Sequence, residues 1–248
     1  MSANLHIFQA LAAFFWRLVL PSSWRRPVRE RIARQIVFAG VEATLLLIIV
    51  GAGVGVLASI YGKFWLDFTK RADLLHQMVN IGVVRELAPL LSVLLTLPAN
   101  GAPMCSEMAL MRVNREVLLL KCLGICEFTY LVFPRMLGLA LSCCAGATIL
   151  AASALVVCSA SLTETLGDAS MVEVLRRFVQ DLEARSIAWM LVKSAAGGLL
   201  IACVAAVTGL SAGEARTEVP RMVSKAMKLA LMWMTFTWFV LTTVSNFI

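Results

Sequence analysis

The most constraining feature of this sequence is a series of long apolar blocks that contain almost no charge. An α-helix crosses a bilayer with about 20 mostly apolar residues, and four blocks are long enough: 36–60, 137–162, 187–213 and 229–248. A fifth candidate, 78–111, is apolar apart from charges near its two ends. The pattern predicts an all-α membrane protein with five transmembrane helices in one domain, 1–248, whose membrane core is 35–248.

The segment 1–34, which precedes this core, has a different composition. Residues 5–20 are apolar but few for a membrane span, and six arginines lie at or after Arg17. A secretory signal peptide has the opposite order of charge. Trp16, Arg17 and Trp24 favour a helix lying in the membrane interface, and an amphipathic helix packed on the protein is the alternative.

Lysines and arginines are distributed unequally between the two sides of these helices. With the N-terminus in the cytoplasm, thirteen fall on cytoplasmic segments, which include loops at 112–121 and 214–228, and six fall on the opposite side. Cytoplasmic segments carry the excess of such residues, so we expect a multi-pass protein with its N-terminus inside. The net charge of +7 then belongs to the membrane surface, and nucleic acid is not an expected partner.

The sequence contains no evident catalytic or cofactor-binding motif. It has no GxxxxGK[ST] phosphate-binding loop, and its two histidines, His6 and His76, cannot complete a Ser–His–Asp or Cys–His site. All seven cysteines lie in or beside apolar segments, which is typical of small buried side chains. We therefore expect a chain that is not an enzyme, binds no metal or cofactor, and takes its energy from a partner or an ion gradient.

Six charged residues occur in or at the ends of the apolar spans: Glu42, Arg85, Glu86, Glu107, Arg135 and Lys193. Three of them are expected at the same depth in the membrane. Arg85 and Glu86 open the second span, and Lys193 lies near the start of the fourth. A charge at the centre of a membrane helix costs about 2.5–3.5 kcal/mol on the insertion scale, so such residues are functional candidates. In the chosen orientation all three lie at the outer leaflet, where they suit a lipid head group; an ion pair between Glu86 and Lys193 that joins two helices is the alternative.

Two further features of the second span mark its centre and its far end. The central sequence TLPANGAP combines Pro98 and Pro103 with Asn100 and Gly101. Irregular backbone at membrane depth persists where protein or a water-filled cavity surrounds it, which indicates a cavity or subunit interface, with a plain proline kink as the alternative. Glu107 follows 21 residues after Glu86, about 32 Å along a helix, and therefore lies near the opposite interface.

The segment 85–112, RELAPLLSVLLTLPANGAPMCSEMALMR, resembles the second span of MlaE/YrbE-type permeases. Eight positions match that family's pattern in register: Arg85, Glu86, Leu87, Pro89, Gly101, Glu107, Met111 and Arg112. The likeness covers about 34–248, since 34–62 resembles the family's first span, PRMLGLALS its third-span entry and VKSAAGGLL its fourth span.

The resemblance implies an ABC-transporter permease of a bacterial inner membrane that moves phospholipid or a related lipid. It implies a dimer of permease chains, a cytoplasmic ATPase that holds ATP and Mg²⁺, and a periplasmic MCE-domain protein as partners. Lipid-binding residues implied by the likeness are Arg85, Glu86 and Lys193, to which we add Asn100. The segment after Glu107 would be a coupling helix against the ATPase, and its implied contacts are Arg112, Asn114, Arg115 and Glu116.

The chain departs from the family pattern at three places. The central segment lacks an arginine that the family usually has there, Arg115 and Glu116 replace a Glu–Gln pair, and 218–224 differs from a G-V-G-x-A-T-T loop. These departures leave room for pairing with a paralogous permease chain. Two other functions are kept as alternatives: an ion-coupled carrier that uses Glu42, Glu86 and Glu107 as proton sites, and a membrane scaffold that transports nothing.

Overall fold

A computed structural model describes residues 10, 12, 14, 16, 26–69, 77–124, 126–166, 170–213 and 215–247. Their α-helices are, in chain order, α1 (Arg26–Thr69), α2 (Gln77–Val113), α3 (Glu116–Cys122), α4 (Phe133–Leu166), α5 (Met171–Gln180), α6 (Ala184–Leu210) and α7 (Val219–Phe247). Five of them, α1, α2, α4, α6 and α7, are long and apolar enough to cross a membrane. The prediction of an all-α chain with five such helices is confirmed.

Helix α2 changes its winding at two places. In Asn80–Leu87 and again in Leu97–Gly101, backbone N–H groups bond to the carbonyl five residues back instead of four. Prolines account for both stretches, because a proline has no N–H and its ring clashes with the carbonyl four residues earlier. Pro89 follows the first stretch, Pro98 lies in the second, and Pro103 follows it. Such π-helical turns occur frequently at functional sites.

Helices α4 and α6 occupy the centre of the bundle, and α1 packs mainly on α4. Two glycines of α1 make this contact close. A Cβ at Gly51 would lie 1.9 Å from the Ser153 Oγ, and one at Gly55 would lie 2.4 Å from the Ala154 carbonyl oxygen. Small residues let membrane helices approach in this way. A Cβ at Gly53, which lies between them in sequence, would meet nothing within 4 Å. Gly53 instead lines a groove described below.

Two clusters of buried apolar side chains hold the bundle together, one at each end. The first joins the later part of α2 with α4, α6 and α7 around Met108 and Phe133. The second joins α1, the first half of α2, α4 and the short helix α5, whose Phe178 is fully buried. A hydrogen bond from Asn80 Nδ2 to the Phe178 carbonyl, 3.2 Å long, fixes α5 against the start of α2. The α5 end of the bundle is therefore the end at which α2 begins.

The sequence was less informative at the ends of the helices. The prediction of a loop over 214–228 was wrong for residues 219–228, because α7 begins at Val219. Pro220 is accommodated there because the first turn of a helix needs no N–H partner, and the basic residues that follow continue the helix. Most of the predicted interfacial helix at 5–20 lies outside the described residues. Phe14 is buried, with its ring centroid 5.5 Å from that of Phe133.

Candidate functional site

The charged residues of α2 and α6 meet at the end of the bundle where α2 begins. Lys193 donates to Glu86, with 2.5 Å between Nζ and Oε1. The Lys193 amine also donates to the Thr242 hydroxyl of α7 at 3.2 Å, and that hydroxyl donates to the second Glu86 oxygen at 3.1 Å. The three side chains form a closed ring of hydrogen bonds that joins three membrane-crossing helices.

Lys193 is enclosed by protein, whereas Glu86 is not. The Lys193 side chain is 0% exposed and that of Glu86 is 27% exposed. The Lys193 amine also lies 5.2 Å from the centre of the Trp238 ring, which can stabilise a cation. The ion pair foreseen as the alternative to a head-group site is therefore present, and its carboxylate is the part that remains accessible.

Arg85 brings a second cation to this cluster. Its Nη2 atom donates to the Ser245 carbonyl and, at 3.0 Å, to the Asn246 Oδ1, both at the end of α7. Its Nε lies 4.0 Å from the Glu86 Oε1, and this buried atom has no hydrogen-bond acceptor among the described residues. Two cations thus share one carboxylate, which leaves one positive charge and one buried donor in excess.

An apolar groove of about 710 Å³ runs between α1 and α2 at the same end of the bundle as this cluster. Its α2 wall includes Gly82, Val83 and Leu87, which flank the two charged residues in sequence. Two glycines keep it open, because a Cβ at Gly53 or at Gly82 would meet nothing within 4 Å. An apolar groove and an excess positive charge at the same end of α2 together suit an amphiphile with an anionic head group.

The interrupted centre of α2 lies apart from the groove. Asn100 is 4% exposed, and a Cβ at Gly101 would lie 2.8 Å from the Ile201 Cγ2 of α6. Protein therefore surrounds the irregular backbone here. Asn100 follows Glu86 by 14 residues and is not brought to the charged cluster, so its role in lipid binding stays a prediction.

The opposite end of α2 presents a polar surface. The five residues assigned to coupling are all exposed there: Glu107, Arg112, Asn114, Arg115 and Glu116. α2 ends at Val113, Arg115 takes a left-handed conformation with φ 61°, and α3 begins at Glu116. Leu118, Leu119 and Leu123 project from α3 and the following turn with 56%, 64% and 66% exposure. The segment is thus a sharp turn followed by a short helix with an apolar outer face.

Sequence reasoning missed several partners of these charged groups. Glu107 pairs with Arg135 at the start of α4, with 2.9 Å between carboxylate and guanidinium. Thr242, Ser245 and Asn246 lie in a block noted only for having no charge. The sequence did indicate a polar face on this helix, because Thr242 and Ser245 are three residues apart and therefore lie on the same side of it.

Comparisons with known proteins identify the family of the chain. A family profile described as Permease MlaE matches residues 32–244. The chain belongs to the MlaE permease family. It is also similar to the intermembrane phospholipid transport system permease protein MlaE of Haemophilus influenzae, with 25% identity over 105 residues, which are 42% of this chain and 40% of that relative. The chain thus spans about two-fifths of the length of this curated relative. With five helices long and apolar enough to cross a membrane, this member of the family is a multi-pass membrane protein.

Proposed function

We propose that this chain is the permease subunit of an ABC transporter that moves phospholipid or a related lipid between the bacterial inner membrane and a periplasmic MCE-protein partner. The N-terminus lies in the cytoplasm in this proposal. ATP and Mg²⁺ are held by a separate cytoplasmic ATPase, and this chain supplies the path for the lipid. Membership of the MlaE family and the phospholipid transport system named for the Haemophilus influenzae relative support this function.

The observation that carries the proposal is the pairing of a charged cluster with an apolar groove. A phospholipid has an anionic phosphate joined to acyl chains, and the cluster offers one excess positive charge while the groove offers about 710 Å³ of apolar space. Arg85 is the residue that we assign to the phosphate, because its buried Nε has no acceptor among the described residues. Glu86 and Lys193 hold the cluster between the helices and orient the head group.

The complete transporter in this proposal contains two permease chains, either two copies or this chain and a paralogue. The groove between α1 and α2 is open along its side, and α7 exposes large apolar side chains, among them Phe236 at 62% and Phe239 at 73%. A second chain would cover such surfaces and close the lipid path between the two permeases.

At the other end of the bundle, α3 and the turn before it are our candidate for the ATPase contact. The exposed leucines of α3 fit an apolar pocket on a partner. Exposed polar residues precede them at the end of α2, in the turn and at the start of α3: Arg112, Asn114, Arg115 and Glu116. An apolar centre with a polar rim is the usual anatomy of a protein interface.

The ion-coupled alternative is less well supported by the contacts. A carboxylate that carries protons must be able to take one up, whereas Glu86 is bonded to Lys193 and Thr242, and Glu107 is paired with Arg135. The side chain of Glu42 lies outside the described residues. A scaffold that transports nothing would not require the open groove between α1 and α2.

The test is the lipid content of the purified permease with its partners, measured by mass spectrometry after extraction. Arg85→Gln should bind phospholipid about tenfold more weakly, since a charge-assisted hydrogen bond is worth about 1.5–3 kcal/mol. Arg176→Gln is the matched control, because Arg176 is exposed on α5 at the same end of the bundle. Unchanged phospholipid content in folded Arg85→Gln protein would remove Arg85 from the head-group site.

A further inference from the structure

A second groove, of about 510 Å³, lies between α1 and α4 and is separate from the groove between α1 and α2. Residues of α1 form one wall and residues near the end of α4 form the other. Those that matter here are Val56, Ser59, Lys63, Val156, Ala160 and Ser161. Its α1 residues lie on a different face of the helix from Gly53, Val54 and Leu57, which line the first groove.

The depth of this groove in the membrane follows from aromatic residues on the same turns of α1 as Lys63. Tyr61, Phe64 and Trp65 are 66%, 70% and 49% exposed on the last turns of the membrane-crossing part of α1. Aromatic side chains of this kind collect at the level of the lipid head groups. Lys63 lies among them, and Val56 and Val156 lie below them, so the groove crosses from the head-group level into the hydrocarbon.

The lining of the groove becomes less polar from the head-group level toward the hydrocarbon. Lys63 and Ser161 line its membrane-surface end, and valines line its deeper part. Within the described side chains, no carboxylate lies at ion-pair distance from Lys63. A half-buried lysine with no carboxylate beside it among the described side chains is complementary to a phosphate group.

The floor of the groove is narrow, because α1 and α4 touch along it. A Cβ at Gly55 would lie 2.4 Å from the Ala154 carbonyl oxygen and 3.0 Å from the Val157 Cβ. A transmembrane helix is about 10 Å across with its side chains and would rest on the rims of such a cleft. A single acyl chain can lie inside it.

We propose that this groove binds a phospholipid whose phosphate contacts Lys63 and whose acyl chain lies against Val56 and Val156. This lipid occupies a site on the outside of the α1–α4 pair and is held independently of the groove assigned to transport. The inference depends on the membrane placement of the chain and on no particular direction or substrate of transport.

The experiment counts phospholipid molecules on the delipidated permease complex by native mass spectrometry during titration with phosphatidylglycerol. Lys63→Gln should weaken one binding step about tenfold, the effect of losing one charge-assisted contact, and Lys63→Arg should restore it. Ala160→Phe, at an exposed position of the groove, should remove the same step while Lys63 is retained. Arg85→Gln should leave this step in place, which separates the site from the proposed transport site.

Diacylglycerol, which has no phosphate, should bind this site at least tenfold more weakly than phosphatidylglycerol. Equal binding of the two lipids would contradict a role for Lys63 in holding the phosphate. Titrations of Lys63→Gln and Ala160→Phe that match wild type at every step would overturn the site altogether. The site would also be overturned if Ala160→Phe released a co-purifying membrane protein while the number of bound phospholipids stayed the same. A helix of that partner, and not a lipid, would then occupy the groove.

Discussion

The ring of Glu86, Lys193 and Thr242 leads to an asymmetric prediction for its two charged members. Glu86→Gln leaves an ammonium group that is 0% exposed, whereas Lys193→Met leaves a carboxylate that is 27% exposed and can reach polar surroundings. Removing one partner of a buried ion pair costs about 3–5 kcal/mol when the remaining charge has no counterion. Lys193 would have none, whereas Glu86 would keep Arg85, whose Nε lies 4.0 Å away. We therefore expect Glu86→Gln to lose about 4 kcal/mol and Lys193→Met about 3 kcal/mol at most.

The double variant Glu86→Gln with Lys193→Met should recover much of this loss, since replacing both charges of a buried pair is often nearly neutral. The measurement is a double-mutant cycle on the free energy of unfolding of the purified permease in detergent. The expected coupling is about 2 kcal/mol or more. Thr242→Val provides a control that removes a hydroxyl and no charge. Single and double variants of equal stability would show that the pair contributes nothing to joining α2 and α6.

Three other outcomes follow from the glycines and from the turn before α3. Gly51→Val should lower stability by about 1–3 kcal/mol through overpacking, because even a Cβ there would lie 1.9 Å from the Ser153 Oγ. The matched Gly53→Val should leave thermal stability unchanged, and a destabilised Gly53→Val would contradict the open groove. Gly82→Leu should fill that groove and lower the bound phospholipid in extracts with stability preserved, whereas normal lipid content would place the lipid elsewhere. Glycine readily adopts the φ of 61° found at Arg115, so Arg115→Gly should fold normally. The amount of ATPase that co-purifies with it should fall. An unchanged amount of ATPase would exclude the Arg115 charge from the contact.

The sequence predicted the number of membrane-crossing helices, because uncharged blocks are visible in it directly. It also singled out Arg85, Glu86 and Lys193, which the structure brings together. It could not choose between an ion pair and a head-group site, since that choice depends on how α2 and α6 are rotated toward each other. The structure contains the ion pair between Glu86 and Lys193, with Arg85 nearby, and the head-group site stays a prediction.

The partners on α7 were harder to foresee. Thr242 and Ser245 are small polar residues that commonly satisfy their own helix carbonyls, as Ser245 does with the Thr242 carbonyl at 3.0 Å. Only the packing of α7 beside α2 brings Thr242 to Glu86. The start of α7 at Val219 was missed for a different reason, because apolar blocks mark the hydrocarbon region and a helix can continue beyond it.

Helix α2 is tied to a neighbour at each extremity, to α6 through Glu86 and to α4 through Arg135. If α2 moved as one rigid helix, one of these two ion pairs would have to break. Between them lies the loosely wound Leu97–Gly101 segment, where proline has already removed backbone bonds. If α2 bent at this midpoint, its two halves could change their relative angle while both ion pairs remained formed. The middle of the helix is therefore where we expect α2 to bend when a movement at one membrane face is transmitted to the other.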